Sequence, residues 1–508
     1  MEMTNSVLDG YLPEEKEEYT LKDKITALAC LGIGIFFIEF VFYYSFRGSL
    51  GVSIWFVLIM LTYLLFRKNE IKLRNRFSVI QLSLITILTL NINFISSKMA
   101  YSINVMFVYI LITYFIYNTS QGNVSLSDYC FVDILFTVFK APFKSFGKAI
   151  KIMKSVPFEI RKLQNIRYVF LGLLLAVPSV MIVLPLLMNS DDNMKRIFEN
   201  LFSGIYFDFD IYESIIKFLF SVASGSLIFS LMYTNKKEDT PDRDEQKYKI
   251  DRMEFFDPLV MCAMVIPVCV LYAIFFVSQL NYFVSGFFNT LPEQFSYSDY
   301  ARQGFFELCE IAVVNFLIII FTNFLVRKPE DTIPKKLKVC IIVLSVFTEI
   351  LIATAMSKMI MYISEYGFTH RRVYTTWFMM LLAGCFALII LKQLCEKLKL
   401  IKAMMILITV SVCIISFGRP DAHIAKWNIH LYESGITEEL DIESLSNLSH
   451  EALPYIDDFA KSGDRLSDKA HELLVNKAYF FSYREKHWTH YSYPVIQAEK
   501  ILSEYIEK

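Results

Sequence analysis

The sequence predicts an all-α protein, a polytopic transmembrane helix bundle of about 11 spans followed by a small helical C-terminal extracytoplasmic domain. Three observations predict it. First, 55% of the 508 residues are hydrophobic, with 46 Phe and 29 Tyr among them. They stand in unbroken blocks of about 17–25 residues, enough to cross ~30 Å of hydrocarbon at ~1.5 Å per residue. Second, these blocks do not alternate in polarity, as lipid-facing barrel strands must, so the backbone is satisfied by helices. Third, one set of inter-block segments carries 31 Lys and Arg and the opposite set carries seven. Basic residues are retained in the cytoplasm, which puts the N-terminus inside and the chain after Phe417 outside.

Taken in order, 1–24 is a cytoplasmic tail. Glu14, Glu15, Glu17 and Glu18 precede the first block, which is too long for a signal-peptide core and reads as an uncleaved span. The spans are expected at 25–46, 49–66, 79–95, 103–118, 168–188 and 213–233, forming an N-terminal membrane half. Five more follow at 258–280, 305–326, 339–359, 375–391 and 403–417, forming the C-terminal half, 258–417. The inner segment 119–167 sets Lys140, Lys144, Lys148, Lys151 and Lys154 among Phe139, Phe143, Phe146 and Ile150. Its part 122–167 is expected to lie as an amphipathic helix on anionic inner-leaflet lipid. Residues 234–257 are polar and mixed in charge, and read as a cytoplasmic linker. In 418–508, ten Lys and Arg face sixteen Asp and Glu. Leu445, Leu448, Leu453, Ile456 and Phe459 recur there at helical spacing. This outer tail is either a module for a protein partner or a cap on the membrane part.

The chemistry-bearing patterns are few. A formal net charge of −1 gives no basic surface for nucleic acid. There is no phosphate-binding glycine loop, nucleophile elbow or HExxH, and no cofactor is implied. Nine cysteines lie in or beside apolar blocks without a CxxC pair, so neither a disulfide framework nor a zinc ribbon is expected. His487 with His490, and Asp421 with His423, have metal-like spacing but lack a third ligand, which favours ordinary surface residues. Within the spans, Glu349 stands mid-helix, and Glu307, Glu310 and Asn315 mark another helix. An intramembrane carboxylate costs several kcal/mol unless it is protonated, paired or hydrated. The four residues therefore either line a polar cavity in which Glu349 takes a proton or cation, or form structural pairs. Ser221 and Gly225 have the small-xxx-small spacing that lets helices approach closely.

Three outer stretches stand apart: SYSDYARQGFFEL (296–308), KMIMYISEYGFTHRRVYTTW (358–377) and GRPDAHIAKWNI (418–429). Arg302, Lys358, Arg371, Arg372 and Asp421 form a candidate outer charged cluster, either carboxylate-paired arginines or an anion site. The stretches resemble, in order, the marked segments of a bacterial membrane family numbered as domain of unknown function 4173, with a close neighbour numbered 4153. Tyr300, Gly304, Phe305, Tyr362, Gly367, Thr369 and Asn428 carry the resemblance with Arg302, Arg372 and Asp421. HWTHYSYPVIQAEKIL near the end adds to it, while Lys358 and His423 depart from it. The resemblance implies a bacterial plasma-membrane protein and no activity. The span count and intramembrane charge point to a transporter or channel-like protein. An accessory or sensory scaffold with a partner-binding outer tail is the alternative, and an enzyme on a lipid-linked substrate is a third.

Overall fold

The computed structural model describes residues 19–42, 49–66, 75–121, 125–126, 130–154, 211–234, 256–278, 305–326, 334–437, 439–484 and 487–506. In chain order the helices are α1 (Leu21–Phe36), α2 (Ser49–Phe66), α3 (Arg76–Asn91), α4 (Lys98–Ser120), α5 (Cys130–Leu135), α6 (Ala141–Lys144), α7 (Lys148–Lys154), α8 (Ile211–Thr234) and α9 (Pro258–Ser278). There follow α10 (Phe305–Leu325), α11 (Lys335–Tyr366), α12 (His370–Leu394), α13 (Leu400–Phe417), α14 (Pro420–Glu433), α15 (Ile442–Ser446), α16 (Leu453–Ala460), α17 (Ser467–Ser482) and α18 (Tyr493–Ile506). Among the described residues the only β feature is an isolated bridge between Phe256 and Val326. Eight of these helices are long and apolar enough to cross a membrane, and Ser49–Leu65 is a shorter apolar helix. Helices stand at ten of the eleven expected span positions; the eleventh, 168–188, lies outside the described residues, as does most of the linker.

The chain forms two compact units, 1–71 with 136–236, and 72–135 with 237–508. The division near Lys236 falls inside the expected linker. The expected six-span half is nevertheless not one unit, because α3 and α4 pack with α13. Asn91 on α3 donates to the carbonyl of Ser416 on α13 at 3.0 Å, which removes a buried amide's need for water.

In the first unit α1 starts at a capping box, with Thr20 and Asp23 each bonded to the other's backbone N–H. It then packs on α8 through backbone contact. A Cβ added to Gly34 would stand 2.3 Å from the carbonyl oxygen of Ser221 and 2.4 Å from the nitrogen of Gly225. The small-xxx-small pair on α8 thus meets a third small residue that its spacing did not name. Gly34→Ala gains ~1 kcal/mol of helix propensity but must push two backbones apart, which costs ~1–3 kcal/mol or more. The expected result is a net loss of thermal stability in detergent, larger for Gly34→Leu than for Gly34→Ala.

The basic inner segment is not one continuous amphipathic helix. From Cys130 to Lys144 it is helical, with a π-helical stretch at Phe136–Lys140 just before Pro142, and it then breaks at the turn 145–147 before α7. The turn is fixed to α8, where Ser230 Oγ accepts from Ser145 N and donates to Ala141 O, both at 2.9 Å. Phe139 and Phe143 remain exposed, as a lipid-facing surface would require. Residues 155–167 lie outside the described residues.

The second unit is built on α9, α10, α11 and α12, with Val265, Leu308, Ala312, Leu344, Leu351 and Phe386 in its core. The helix expected at 339–359 runs from Lys335 to Tyr366, 32 residues. At ~1.5 Å per residue it outruns a ~30 Å hydrocarbon layer, because KMIMYISEY keeps helical character until Gly367. Helices α14 to α18 pack around a separate core of Ile424, Leu445, Ile456, Phe459, Leu474 and Leu502. Phe368, from the turn between α11 and α12, and Val373, in the first turn of α12, pack against that core. The tail is thus continuous with the second unit.

Candidate functional site

The site grows from the turn at Gly367. This glycine ends α11 at φ 69°, ψ −171°, a region essentially closed to residues with a Cβ. A Cβ there would also stand 2.7 Å from Asn428 Oδ1. Asn428, on α14, accepts from Phe368 N at 2.7 Å and donates to Phe368 O at 2.8 Å. Arg372, in the first turn of α12, donates to the carbonyls of Tyr366 at 2.9 Å and Gly367 at 2.5 Å. Its guanidinium lies 3.9 Å from the centre of the Tyr362 ring. The last carbonyls of a helix lack partners and carry the negative end of its dipole, so one guanidinium nitrogen of an arginine stacked on Tyr362 closes α11.

One turn away, Asp421 is 1% exposed in the first turn of α14, where the helix dipole favours a carboxylate. Its Oδ1 is 2.9 Å from His370 Nε2, and its Oδ2 accepts from Ser449 N at 2.9 Å. Arg419 precedes it at φ 45°, a left-handed non-glycine residue that swings the chain from α13 into α14. Such a conformation costs ~1–2 kcal/mol and needs surrounding contacts to hold it. Glu451, also 1% exposed, accepts from Ser96 N at 2.6 Å. Beside it the Tyr374 hydroxyl is 2.9 Å from Ser97 Oγ and accepts from Ala100 N at 3.1 Å. Three chain regions, 96–100, 370–374 and 421–451, are therefore locked together by buried polar bonds.

The two carboxylates are tuned apart. Burial pushes Asp421 up, but the bonds from His370 and Ser449 and the His370 charge outweigh it, so its carboxyl sits below the ordinary range. Burial raises Glu451, the Ser96 N–H works against that, and nearby Asp421 adds to it, so Glu451 ends above the ordinary range. His450, between them in sequence and packed on the Phe481 ring at 5.6 Å, is pushed down to about 4 by burial and by the charges of Arg484 and Lys477.

His450 gives a testable pH dependence. The unfolded chain takes up the proton near the ordinary value of ~6.5, while the folded chain resists until about 4. The unfolded state therefore binds more protons between those values, and the tail is expected to lose up to ~3 kcal/mol as pH falls through that window. Glu451 acts in the opposite sense, losing stability as pH rises through its raised value. The difference between wild type and His450→Phe isolates the histidine. Hydrogen exchange of tail amides from pH 7 to pH 4 measures it, and identical profiles for the two proteins would refute it.

Of the residues singled out in sequence, Asp421, Gly367, Thr369, Tyr362, Arg372 and Asn428 come together here, Thr369 as the N-cap of α12. Arg372 engages carbonyls and an aromatic ring where a carboxylate partner was expected, and His370 takes that place beside Asp421. Arg371 is exposed. Tyr300, Arg302 and Gly304 lie outside the described residues, and Phe305 is buried in the helix core. Within the spans, Asn315 accepts from Tyr272 Oη at 2.7 Å and donates to Thr348 Oγ1 at 2.9 Å, tying α9, α10 and α11. Glu349 is half-buried on α11, while Glu307 and Glu310 are exposed. Glu307 lies within electrostatic reach of half-buried Lys358. His370, Tyr374, Ser96, Ser449 and Glu451 were not foreseen as site residues. His370, in THRR beside Gly367, was the only one with a local signal.

Long apolar helices in several passes, with a helical C-terminal segment bonded to their ends, define a multi-pass membrane protein. The chain belongs to the family described as Domain of unknown function (DUF4153), whose model matches residues 77–459. The match takes in all three marked stretches and every residue of the locked network, while HWTHYSYPVIQAEKIL lies beyond it. Membership of the neighbouring family numbered 4173 has no such support. No curated protein and no solved structure matches the chain.

Proposed function

We propose that the protein is an accessory or sensory membrane scaffold, whose C-terminal helices are held on the outer ends of the spans and present their free surface to a protein partner. The locked network carries this reading. Asp421 and Glu451 are buried charges spent on joining tail to bundle, and Arg372 and Asn428 fix the turn between them. Such bonds tie the tail directly to α12 and to the α3–α4 turn, the contacts through which a partner on the tail would act on the bundle. The outer side is assigned by the Lys and Arg asymmetry, and the same asymmetry fits a cell-membrane protein with its N-terminus inside. The enzyme reading loses support because Arg372 spends one guanidinium nitrogen on the carbonyls of Tyr366 and Gly367 and stacks on Tyr362.

Transport remains the second reading, favoured by Glu349 midway along α11. The Asn315 amide, bonded to Tyr272 and Thr348, supports a structural tie in place of a polar cavity. The two readings separate in one pair of measurements on the full chain. Photo-crosslinkers spread over the tail surface in cells are expected to trap a discrete protein, with the pattern altered by His370→Ala and unchanged by Glu349→Gln. Proteoliposomes loaded with a pH-sensitive dye should show no proton flux that depends on Glu349. A flux abolished by Glu349→Gln, with no tail adduct, would replace the scaffold by a transporter.

A further inference from the structure

Helices α17 and α18 form an antiparallel hairpin. At one end the His471 and Tyr505 rings meet edge to face, with centres 5.1 Å apart. At the other, Phe481 and Arg484 meet Tyr491 and Val495 around a small surface pocket. This second end carries Tyr479, Phe480, Tyr483, Trp488, Tyr491 and Tyr493, all substantially exposed, with Phe480 at 76% and Tyr483 at 74%. The other faces of the two helices already fill the tail core with Ala470, Leu474, Ala498 and Leu502. So dense a group of uncovered rings at one end of a soluble hairpin would be a liability in water.

The same end is tied to the membrane edge by independent contacts. The Tyr493 ring packs at a tilt against Phe94, centres 5.8 Å apart, and Phe94 is the last residue of the apolar stretch Arg76–Phe94. Phe481 packs on His450, whose neighbour Glu451 holds Ser96 in the turn just after that stretch. The aromatic surface is thus continuous with the end of a membrane-crossing helix. Rings with an apolar body and a polar tip favour the headgroup level of a bilayer.

We infer that the aromatic end of the α17–α18 hairpin is seated in the interfacial layer of the leaflet on the tail's side, with lipid as its occupant. The hairpin then stands with its His471–Tyr505 end away from the bilayer. This rests on the chain spanning the membrane and not on the scaffold reading, which could fail while the lipid contact holds.

The test uses the full chain reconstituted in phosphatidylcholine proteoliposomes, with p-benzoylphenylalanine placed at Phe480 or, as a control at the start of α17, at Asp468. Both sites are exposed, so folding is not at issue. Illumination should give lipid adducts at 480 in several-fold excess over 468. Lipids brominated near the headgroup should also quench Trp488 in a variant lacking the other three tryptophans, more strongly than aqueous iodide does. Equal, low lipid adducts at both positions would overturn the inference. So would adducts at 480 to a second copy of the chain in place of lipid.

Discussion

Replacing His370 with alanine is expected to destabilise the tail–bundle junction by ~3 kcal/mol, the low end of what breaking a buried ion pair costs. The reason is what remains. Asp421 stays 1% exposed and keeps only its Ser449 contacts, chiefly the bond from the Ser449 N–H at 2.9 Å. The low end applies because the imidazole is 35% exposed, so water can follow into its place. The converse change, Asp421→Asn, leaves an imidazole that can shed its proton and an amide that can still accept from Ser449. It should cost only ~1–2 kcal/mol. The double variant should cost less than the sum, since the groups share one interaction. Denaturant titration in nanodiscs, followed by protease cleavage within 434–508, measures all three. Additive costs, or a larger cost for Asp421→Asn, would mean that the pair does not hold the junction.

Gly367→Ala should be at least as damaging. Its φ of 69° with ψ −171° costs a residue with a Cβ ~1–3 kcal/mol. The new methyl would also displace the Asn428 side chain from two backbone bonds worth ~0.5–1.5 kcal/mol each. A total loss of ~3 kcal/mol is expected. Asn428→Ala keeps the backbone relaxed but leaves the N–H and carbonyl of Phe368 without those bonds, and should lose ~2 kcal/mol. Adding Asn428→Ala to Gly367→Ala removes the clash and should restore part of the loss. Thermal unfolding of the full chain in detergent would show this, and absence of any restoration would separate the strain from the asparagine.

The helices were legible because their signal is local. Block length and charge asymmetry mark the spans, and Leu445 to Phe459 mark the tail by spacing alone. Gly367 was legible as a turn because glycine is the residue that tolerates positive φ. The partners were not legible. Ser96 and Glu451 are 355 positions apart, and no spacing rule joins them. Asp421 was expected beside an arginine because arginine is the usual answer to a buried carboxylate, whereas the fold gives Arg372 a closer set of acceptors on its own turn. Asn315 left two readings open in sequence, cavity lining or structural tie, because its hydrogen-bonding capacity is visible there and its partners Tyr272 and Thr348 are not. The inner segment read as one helix because its lysine spacing is helical, while the turn 145–147, held by the Ser230 bonds, breaks it.

The division of the chain into interleaved units bears on how it is made. Helices α3 and α4 and the turn between them leave the ribosome 274 to 355 residues before the partners they bond to, on α12, α13 and at Glu451. Until then Asn91, the turn at Ser96 and Ser97, and their buried backbone groups have none of these long-range partners. Loop closure over such distances is slow, and exposed surface in the interval invites misassembly. The first unit needs no such wait, since α1 and α8 are both synthesised by residue 234. Staged biogenesis is the expected consequence: the first unit can mature while the nascent α3–α4 pair waits for its partners. Chains released before residue 451 would be the natural substrates of membrane quality control, with the α3–α4 turn as the part left incomplete.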